Sequence, residues 1–224
     1  MEDRAALEAC RLFAGLPYPA VEILFSCSRG RDYSRGEMLI VPRQQLDWLG
    51  IVTRGRVHQI HLTAEGEDQL LEVIDSPRLV AEDLICTRTR LSPYHAMAAE
   101  DTRVLWLPAS VILERGNLDE LWRQEIQRRL LMEISHSNMK KEYRLAILAQ
   151  RGLRQRILTY LTMQAEKHSS ATVTIPFDRE EMASFLCVNR SALSHELSRM
   201  EAEGLIAFRK NVFTLLTWEE VQWY

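Results

Sequence analysis

The stretch from Asp178 to Leu205 concentrates the side chains best suited to chemistry with a partner. Asp178, followed three residues later by Glu181, forms a capping box that opens a helix running to about Leu186, with Met182, Phe185 and Leu186 inward. Cys187-Val188-Asn189 makes a short turn, and Asn189 is a good N-cap for a second helix from Arg190 to about Glu203. On that helix Leu193, Leu197 and Met200 fall on one apolar face. The opposite face carries Arg190, Ser191, Ser194, His195, Ser198 and Arg199, short polar groups with cations at both ends. Two helices joined this way suit the major groove of duplex DNA, where small serines allow close approach and arginine reaches guanine edges or phosphates. Gly204 ends the second helix. Leu205–Arg209 and Val212–Leu216 then bracket Lys210-Asn211 as a β-hairpin that sets Arg209 and Lys210 against phosphates. Arg179 and Asn189 complete the candidate DNA contacts.

Other chemistries find less support. Cys10, Cys27, Cys86 and Cys187 are too scattered for a CxxC pair or a zinc knuckle and read as reduced thiols. His58 and His61 share a predicted strand three residues apart, so they face opposite sides and cannot chelate one ion there. No Ser, Cys or His sits in a nucleophile elbow, and no glycine-rich phosphate loop occurs, so an enzyme is not expected. No cofactor is expected either.

Stepping out to the scaffold, residues 1–30 read as helical, with Leu12, Phe13, Leu16, Val21, Leu24 and Phe25 inward. From about 31 to 107 short apolar stretches alternate with turns at Arg35-Gly36, Arg54-Gly55 and Glu65-Gly66. Met38–Val41, Trp48–Thr53, Val57–Leu62, Gln69–Ile74 and Arg103–Leu107 are predicted strands of a compact roll. From Ser110 the period becomes helical through Leu118, Leu121, Ile126, Leu130, Ile134, Leu145 and Leu148. A helix of roughly 35 residues spans on the order of 50 Å, which overshoots the roll and calls for a partner. A second copy in a parallel coiled coil is the simplest one, with Ser135-His136-Ser137-Asn138 fixing register. Arg151-Gly152 reads as a hinge before a further helix, Leu153–Lys167.

The chain has 224 residues, 46% hydrophobic and 26% charged, as expected of a globular protein with a real core. Its 28 basic and 31 acidic residues give a net charge of −3, whereas residues 140–210 hold 12 basic against 8 acidic, or +4. That local excess matters only because a geometry exists to use it. Apolar runs fall short of the roughly 18 residues that cross a bilayer. Met1-Glu2-Asp3-Arg4 lacks the apolar core of a secretion signal, so a cytoplasmic protein without a membrane partner is expected.

The stretch Phe177-Asp178-Arg179-Glu180-Glu181-Met182-Ala183, continuing through Asn189-Arg190-Ser191-Ala192-Leu193-Ser194 to Glu203-Gly204-Leu205-Ile206, resembles the winged-helix signature of the Crp/Fnr superfamily of bacterial transcription regulators. Leu12-Phe13-Ala14-Gly15-Leu16, Tyr33-Ser34-Arg35-Gly36-Glu37, Val52-Thr53-Arg54-Gly55-Arg56-Val57 and Ala98-Ala99-Glu100-Asp101-Thr102 extend the resemblance over nearly the whole chain. It implies an α+β chain in three parts. Residues 1–110 would form a cyclic-nucleotide-binding-like β-roll, 111–151 a long dimerisation helix and 152–224 a winged helix-turn-helix. The implied protein is a homodimer that reads an inverted repeat in double-stranded DNA. A small-molecule effector controls it, and RNA polymerase is a further partner if it activates.

The departures bear on the effector. Members that bind cyclic AMP carry a Gly-Glu pair followed by an Arg for the cyclic phosphate. Here Ala81 replaces the Gly before Glu82, and the Arg position falls near Ser92-Pro93, with Arg88 and Arg90 out of step. Met139 and Lys140 stand where the long helix has small hydroxyl residues. Cyclic AMP is therefore not expected, because its phosphate lacks a bidentate counter-charge. The expected pocket draws on Leu71, Val73, Leu79, Ala81, Glu82, Leu84, Tyr94, His95 and Met97, with Met139 and Tyr143 from the long helix. In the DNA-reading helix Ser191 and His195 replace Glu and Arg of base-reading members, and Cys187 replaces a turn Gly. The competing reading is an interaction module, or a redox or haem sensor using His95 or a cysteine, with weak DNA binding.

Overall fold

The computed structural model describes residues 2–62 and 68–217. Two compact units divide within the long helix, between Asn138 and Met139. The expected turn at Glu65-Gly66 lies outside the described residues.

In the first unit helices α1 (Glu2–Ala9) and α2 (Tyr18–Cys27) precede β1 (Arg29–Tyr33), β2 (Met38–Ile40), β3 (Trp48–Arg54), β4 (Arg56–Leu62), β5 (Asp68–Asp75), β6 (Leu79–Val80), β7 (His95–Ala98) and β8 (Thr102–Pro108). These strands form two antiparallel sheets, ordered β1-β8-β3-β6 and β2-β7-β4-β5. The chain passes from one sheet to the other at Gly55, whose φ is +84°. A Cβ there would sit 2.6 Å from the Thr102 hydroxyl and 2.7 Å from the Asp101 carbonyl, so glycine is required.

Alternation sorts the first sheet. Leu49, Ile51, Leu105 and Leu107 face the helices and bury against Leu7, Phe13, Leu24, Ile112 and Ile126. Val52 and Val104 face the other way, into the roll, where they meet Val57, Ile74, Ala96 and Ala98 of the second sheet. Each such buried aliphatic side chain contributes about 1.5–3 kcal/mol relative to exposure. Helix α1 is pinned by Asp3, whose carboxylate accepts from the Thr53 hydroxyl at 2.8 Å and from Arg103 Nε at 2.8 Å.

The helical period from Ser110 belongs to two helices, not one of 35 residues. Short α3 (Ala109–Leu113) ends before Arg115-Gly116-Asn117, and α4 runs from Glu120 to Leu148 with 29 residues, about 44 Å. Asp119 precedes the second, accepting from the Leu121 amide at 2.9 Å. Ile126 and Leu130 of α4 are buried in the helix-side core, and Arg129 donates to the Ala14 carbonyl at 2.6 Å. Leu121 and Leu145, two of the apolar positions that recur along this segment, are exposed.

The second unit holds α5 (Leu153–His168), β9 (Thr172–Thr174), α6 (Arg179–Phe185), α7 (Arg190–Ala202), β10 (Ile206–Arg209) and β11 (Val212–Leu215). Its sheet is ordered β10-β11-β9, which makes β10 an edge strand. Tyr160, Phe177 and Phe185 form an aromatic cluster with centroids 4.8–5.9 Å apart. No described helix is long and apolar enough to cross a membrane.

Candidate nucleic-acid interface

Helix α6 opens on the expected capping box. The Glu181 amide donates to Asp178 Oδ1 at 2.8 Å, and the Asp178 amide donates back to Glu181 Oε2 at 2.7 Å. The other end is held by two arginines that aim at the last carbonyls of the helix, where its dipole favours cations. Arg144 donates to the Phe185 carbonyl at 3.3 Å and covers that ring at 4.9 Å, while Arg156 donates to Leu186 at 3.1 Å. Burial pushes the Arg144 guanidinium below its ordinary pKa, against a contact with Cys187. The turn keeps a left-handed backbone at Cys187, φ +58°, although a side chain now occupies it.

Asn189 caps α7, accepting from the Ala192 amide at 2.7 Å and from the Ser191 hydroxyl at 2.8 Å. Leu193, Leu197 and Met200 are fully buried, which turns Arg190, Ser191, Ser194, His195, Ser198 and Arg199 outward, all exposed. The helix ends in a Schellman motif. Gly204 at φ +72° donates to the Glu201 carbonyl, and the Leu205 amide donates to Met200, both at 3.0 Å. Strands β10 and β11 then pair through Arg209↔Val212, with Lys210 at φ +56° in the turn and both cations exposed.

Sequence reasoning missed the acids that hold these cations. Glu180 lies 3.8 Å from Arg190. Arg154, at the start of α5, reaches Glu196 at 2.6 Å and Glu203 at 2.5 Å, tying down the middle and the C-terminal end of α7. Arg199 also approaches Glu196, at 3.5 Å. Arg179, grouped with the DNA contacts by sequence, is half-buried and turned to the hairpin. Its guanidinium covers the Phe208 and Phe213 rings at 5.0 and 5.6 Å and donates to the Lys210 carbonyl at 3.2 Å. Burial and the neighbouring Arg190 push it below its ordinary pKa.

The expected effector lining is divided by the strands. Leu71, Ala81, Leu84 and Tyr94 belong to the cluster between the sheets. Leu79 pairs with Ile51 and faces the helices instead. Val73 and Met97 both pair with His58, on the face opposite Val57, Ile74 and Ala98, and His95 alternates outward beside Ala96. These four residues therefore do not share the face of Leu71, Ala81, Leu84 and Tyr94, because neighbours along a strand point to opposite faces. Met139 and Tyr143 are exposed on the part of α4 that belongs to the second unit.

The roll interior is acidic. Burial pushes the Glu82 carboxyl up to about 7; its own backbone amide opposes this, Asp83 and Glu72 add to it, and Arg78 opposes it. Arg78 is ion-paired with Glu72 and donates to the Val73 carbonyl at 2.9 Å. The Tyr94 hydroxyl donates to Asp83 at 2.9 Å, and burial followed by the nearby acids raises its pKa. Ser92 is buried, its hydroxyl donating to the Tyr94 carbonyl at 2.7 Å. Arg90 pairs with Asp47 at 2.6 Å. Ala81 holds φ +70°, so the turn keeps a glycine-like backbone without glycine.

Known proteins share both parts of this arrangement. Residues 30–115 match the family model of the cyclic nucleotide-binding domain, and residues 155–222 match that of the Crp-like helix-turn-helix domain. The transcriptional activator protein Anr of Pseudomonas protegens is 26% identical over 186 residues, covering 80% of this chain and 73% of its own. Among solved structures, the c-di-GMP responsive global regulator CLP of Xanthomonas campestris is similar with a TM-score of 0.66 at 16% identity, over 89% of this chain and 99% of that one. The catabolite activator protein of Thermus thermophilus is similar with a TM-score of 0.52 at 20% identity, over 92% and 93%. At these identities the solved structures show a shared fold.

Proposed function

The chain belongs to the Crp/Fnr superfamily of transcription regulators, with a cyclic-nucleotide-binding-like domain and a DNA-binding helix-turn-helix, and from that premise we propose that it reads an inverted-repeat operator as a homodimer under an effector other than cyclic AMP. The observation that carries this reading is the sorting of α7. Its apolar face is buried to the last atom, while Arg190, Ser191, Ser194, His195, Ser198 and Arg199 form an unbroken polar face fit for a major groove. Arg190 supplies base contact, with Ser191, Ser194 and His195 adding weaker or water-mediated readout, and Arg209 and Lys210 hold phosphates.

Homodimerisation draws support from α4. Leu121, Met132, Met139 and Tyr143 are 73, 57, 48 and 53% exposed, and they recur at about three, two and one helical turns. Such a stripe on a helix is the seam of a coiled coil. Residues 1–110 then serve as sensor, 111–151 as dimerisation helix and 152–224 as DNA reader. RNA polymerase is the further partner if the protein activates.

The interior of the roll argues against cyclic AMP. A cyclic phosphate would meet Glu82, Asp83 and Glu72, and the nearest cation, Arg78, is already paired with Glu72. Selection from randomised duplex DNA tests the central reading. The expected product is an inverted repeat with half-sites one helical turn apart, about 34–36 Å, and a pool without enrichment would overturn it. Calorimetric titration with cyclic AMP is expected to show no saturable binding at micromolar concentration.

A further inference from the structure

We infer that Arg179 is the post that positions the wing, the hairpin of β10 and β11, and that it acts on DNA only through Arg209 and Lys210. This rests on the DNA-reading function proposed above and assigns Arg179 a task within it. Four observations converge. The guanidinium lies over both Phe208 and Phe213, at 5.0 and 5.6 Å, and these two rings are themselves stacked at 5.7 Å as a cross-strand pair. The same guanidinium donates to the carbonyl of Lys210, the turn residue, at 3.2 Å. Its backbone is fixed, because Arg179 is the first residue of α6 and lies inside the capping box between Asp178 and Glu181. Its side chain is half-buried and turned to the hairpin, unlike the exposed Arg190 and Arg199.

The wing needs such a post. Its strands have four residues each, β10 pairs with β11 alone among the described strands, and Lys210 holds a left-handed backbone that strains a non-glycine residue. β11 also pairs with β9 through Val212↔Thr174, Phe213↔Val173 and Thr214↔Thr172, so it is the edge strand β10 and the turn at the tip that lack a second strand beside them. Buried Ile206 and Phe213 anchor the base of the hairpin, and the Phe208 amide reaches Glu201 at 3.4 Å. The turn is held at both of its residues: Asn211 donates from Nδ2 to the Ile175 carbonyl at 3.0 Å and accepts from the Ile175 amide at 2.9 Å, while Arg179 grips Lys210. The Arg179 contact ties the wing to the first helix of the DNA-reading pair, so the cations at the tip keep a fixed place relative to α7.

The test has two arms. Without DNA, amide hydrogen exchange across residues 206–215 is expected to quicken about tenfold in Arg179→Ala, with exchange in α5 and α7 unchanged. Phe208→Leu, which removes one stacking ring, is expected to do the same to a smaller degree and serves if Arg179→Ala does not fold. Unchanged exchange in the wing of a folded variant would overturn the inference whatever the protein does with DNA. With duplex DNA, Arg179→Ala is expected to weaken binding and flatten the salt dependence to that of the Arg209→Ala/Lys210→Ala double variant. Added to that double variant it is expected to change Kd by less than about twofold. Arg179→Lys is expected to behave like Arg179→Ala, because ammonium cannot stack on two rings while holding the carbonyl. Full effect in the double variant, or rescue by lysine, would make Arg179 a phosphate contact. If the wild type fails to bind any duplex, the DNA-reading function fails while the exchange arm still decides the role of Arg179.

Discussion

Glu180 of α6 stands 3.8 Å from Arg190, the first residue of α7, so the two helices of the DNA-reading motif are linked at the cation expected to read a base. Both side chains are largely exposed, and an ion pair of that kind contributes little to stability. Its consequence lies in binding: the carboxylate holds the guanidinium proposed to read a base, and its negative charge repels DNA phosphates.

Arg190→Ala is expected to cost about 1–3 kcal/mol on the selected site and to relax preference at one base position. Glu180→Gln is expected to leave thermal stability unchanged and to tighten selected and random duplexes alike, since one repelling charge is removed. Fluorescence anisotropy on both duplexes checks the pair. Equal weakening of all sequences by Arg190→Ala would make it a phosphate clamp.

Ala81 and Cys187 carry left-handed backbones at φ +70° and +58°. Ala81→Gly is expected to stabilise the roll by about 0.5–1 kcal/mol, the relief of the left-handed conformation less the entropy glycine adds to the unfolded chain. Cys187→Gly is expected to gain less, because the thiol also contacts Arg144. Urea denaturation of each variant measures this, and a destabilised Ala81→Gly would show that its methyl packs well enough to outweigh the strain.

The DNA-reading half was legible because its signals are local. The capping box at Asp178 and Glu181, the cap at Asn189, the apolar spacing of Leu193, Leu197 and Met200, and the stop at Gly204 all act within a few residues. The roll was legible only in outline. β1 is Arg-Gly-Arg-Asp-Tyr, with no apolar alternation, and becomes a strand by pairing with β8. β6 has two residues, too few for any periodic signal. Val73, Leu79, His95 and Met97 were assigned to one lining because the facing of a strand depends on which partners it finds. Arg179 shows the same limit within the legible half: its type suggests phosphate, and its place is set by two phenylalanines about thirty residues away.

Glu82 predicts a pH dependence. Burial raises its carboxyl to about 7, with Asp83 and Glu72 adding to the shift, while the unfolded chain titrates near the ordinary glutamate value. Between the two the native state binds the extra proton, so stability falls as pH rises through that window. The full stabilisation is present below about pH 4.3, and a loss on the order of 3 kcal/mol is complete above about pH 7. Glu82→Gln is expected to flatten this slope and to exceed the wild type in stability at pH 8. Denaturant midpoints of the two proteins between pH 4.5 and 8 check it, and parallel curves would place the carboxylate in contact with water.

The exposed stripe on α4 makes the last prediction. Leu121 and Met132 share one side of the helix, roughly opposite Ile126 and Leu130, which are buried in the first unit, and Met139 and Tyr143 are exposed in the second. In the proposed homodimer a second copy covers these residues and sets two DNA-reading helices on one duplex. The wild type is expected to sediment as a dimer at micromolar concentration. Met132→Glu and Met139→Glu each place a carboxylate in the seam, where burial without a partner is costly, and the double variant is expected to sediment as a monomer. Its affinity for the full inverted repeat is expected to fall about 10²- to 10⁴-fold, to that for a single half-site, because the second contact is no longer intramolecular. Half-site affinity itself is expected to stay unchanged, since both methionines lie on α4, outside the proposed DNA-contacting residues. A double variant that remains dimeric would place the interface elsewhere, and a wild type that is monomeric would remove the seam altogether.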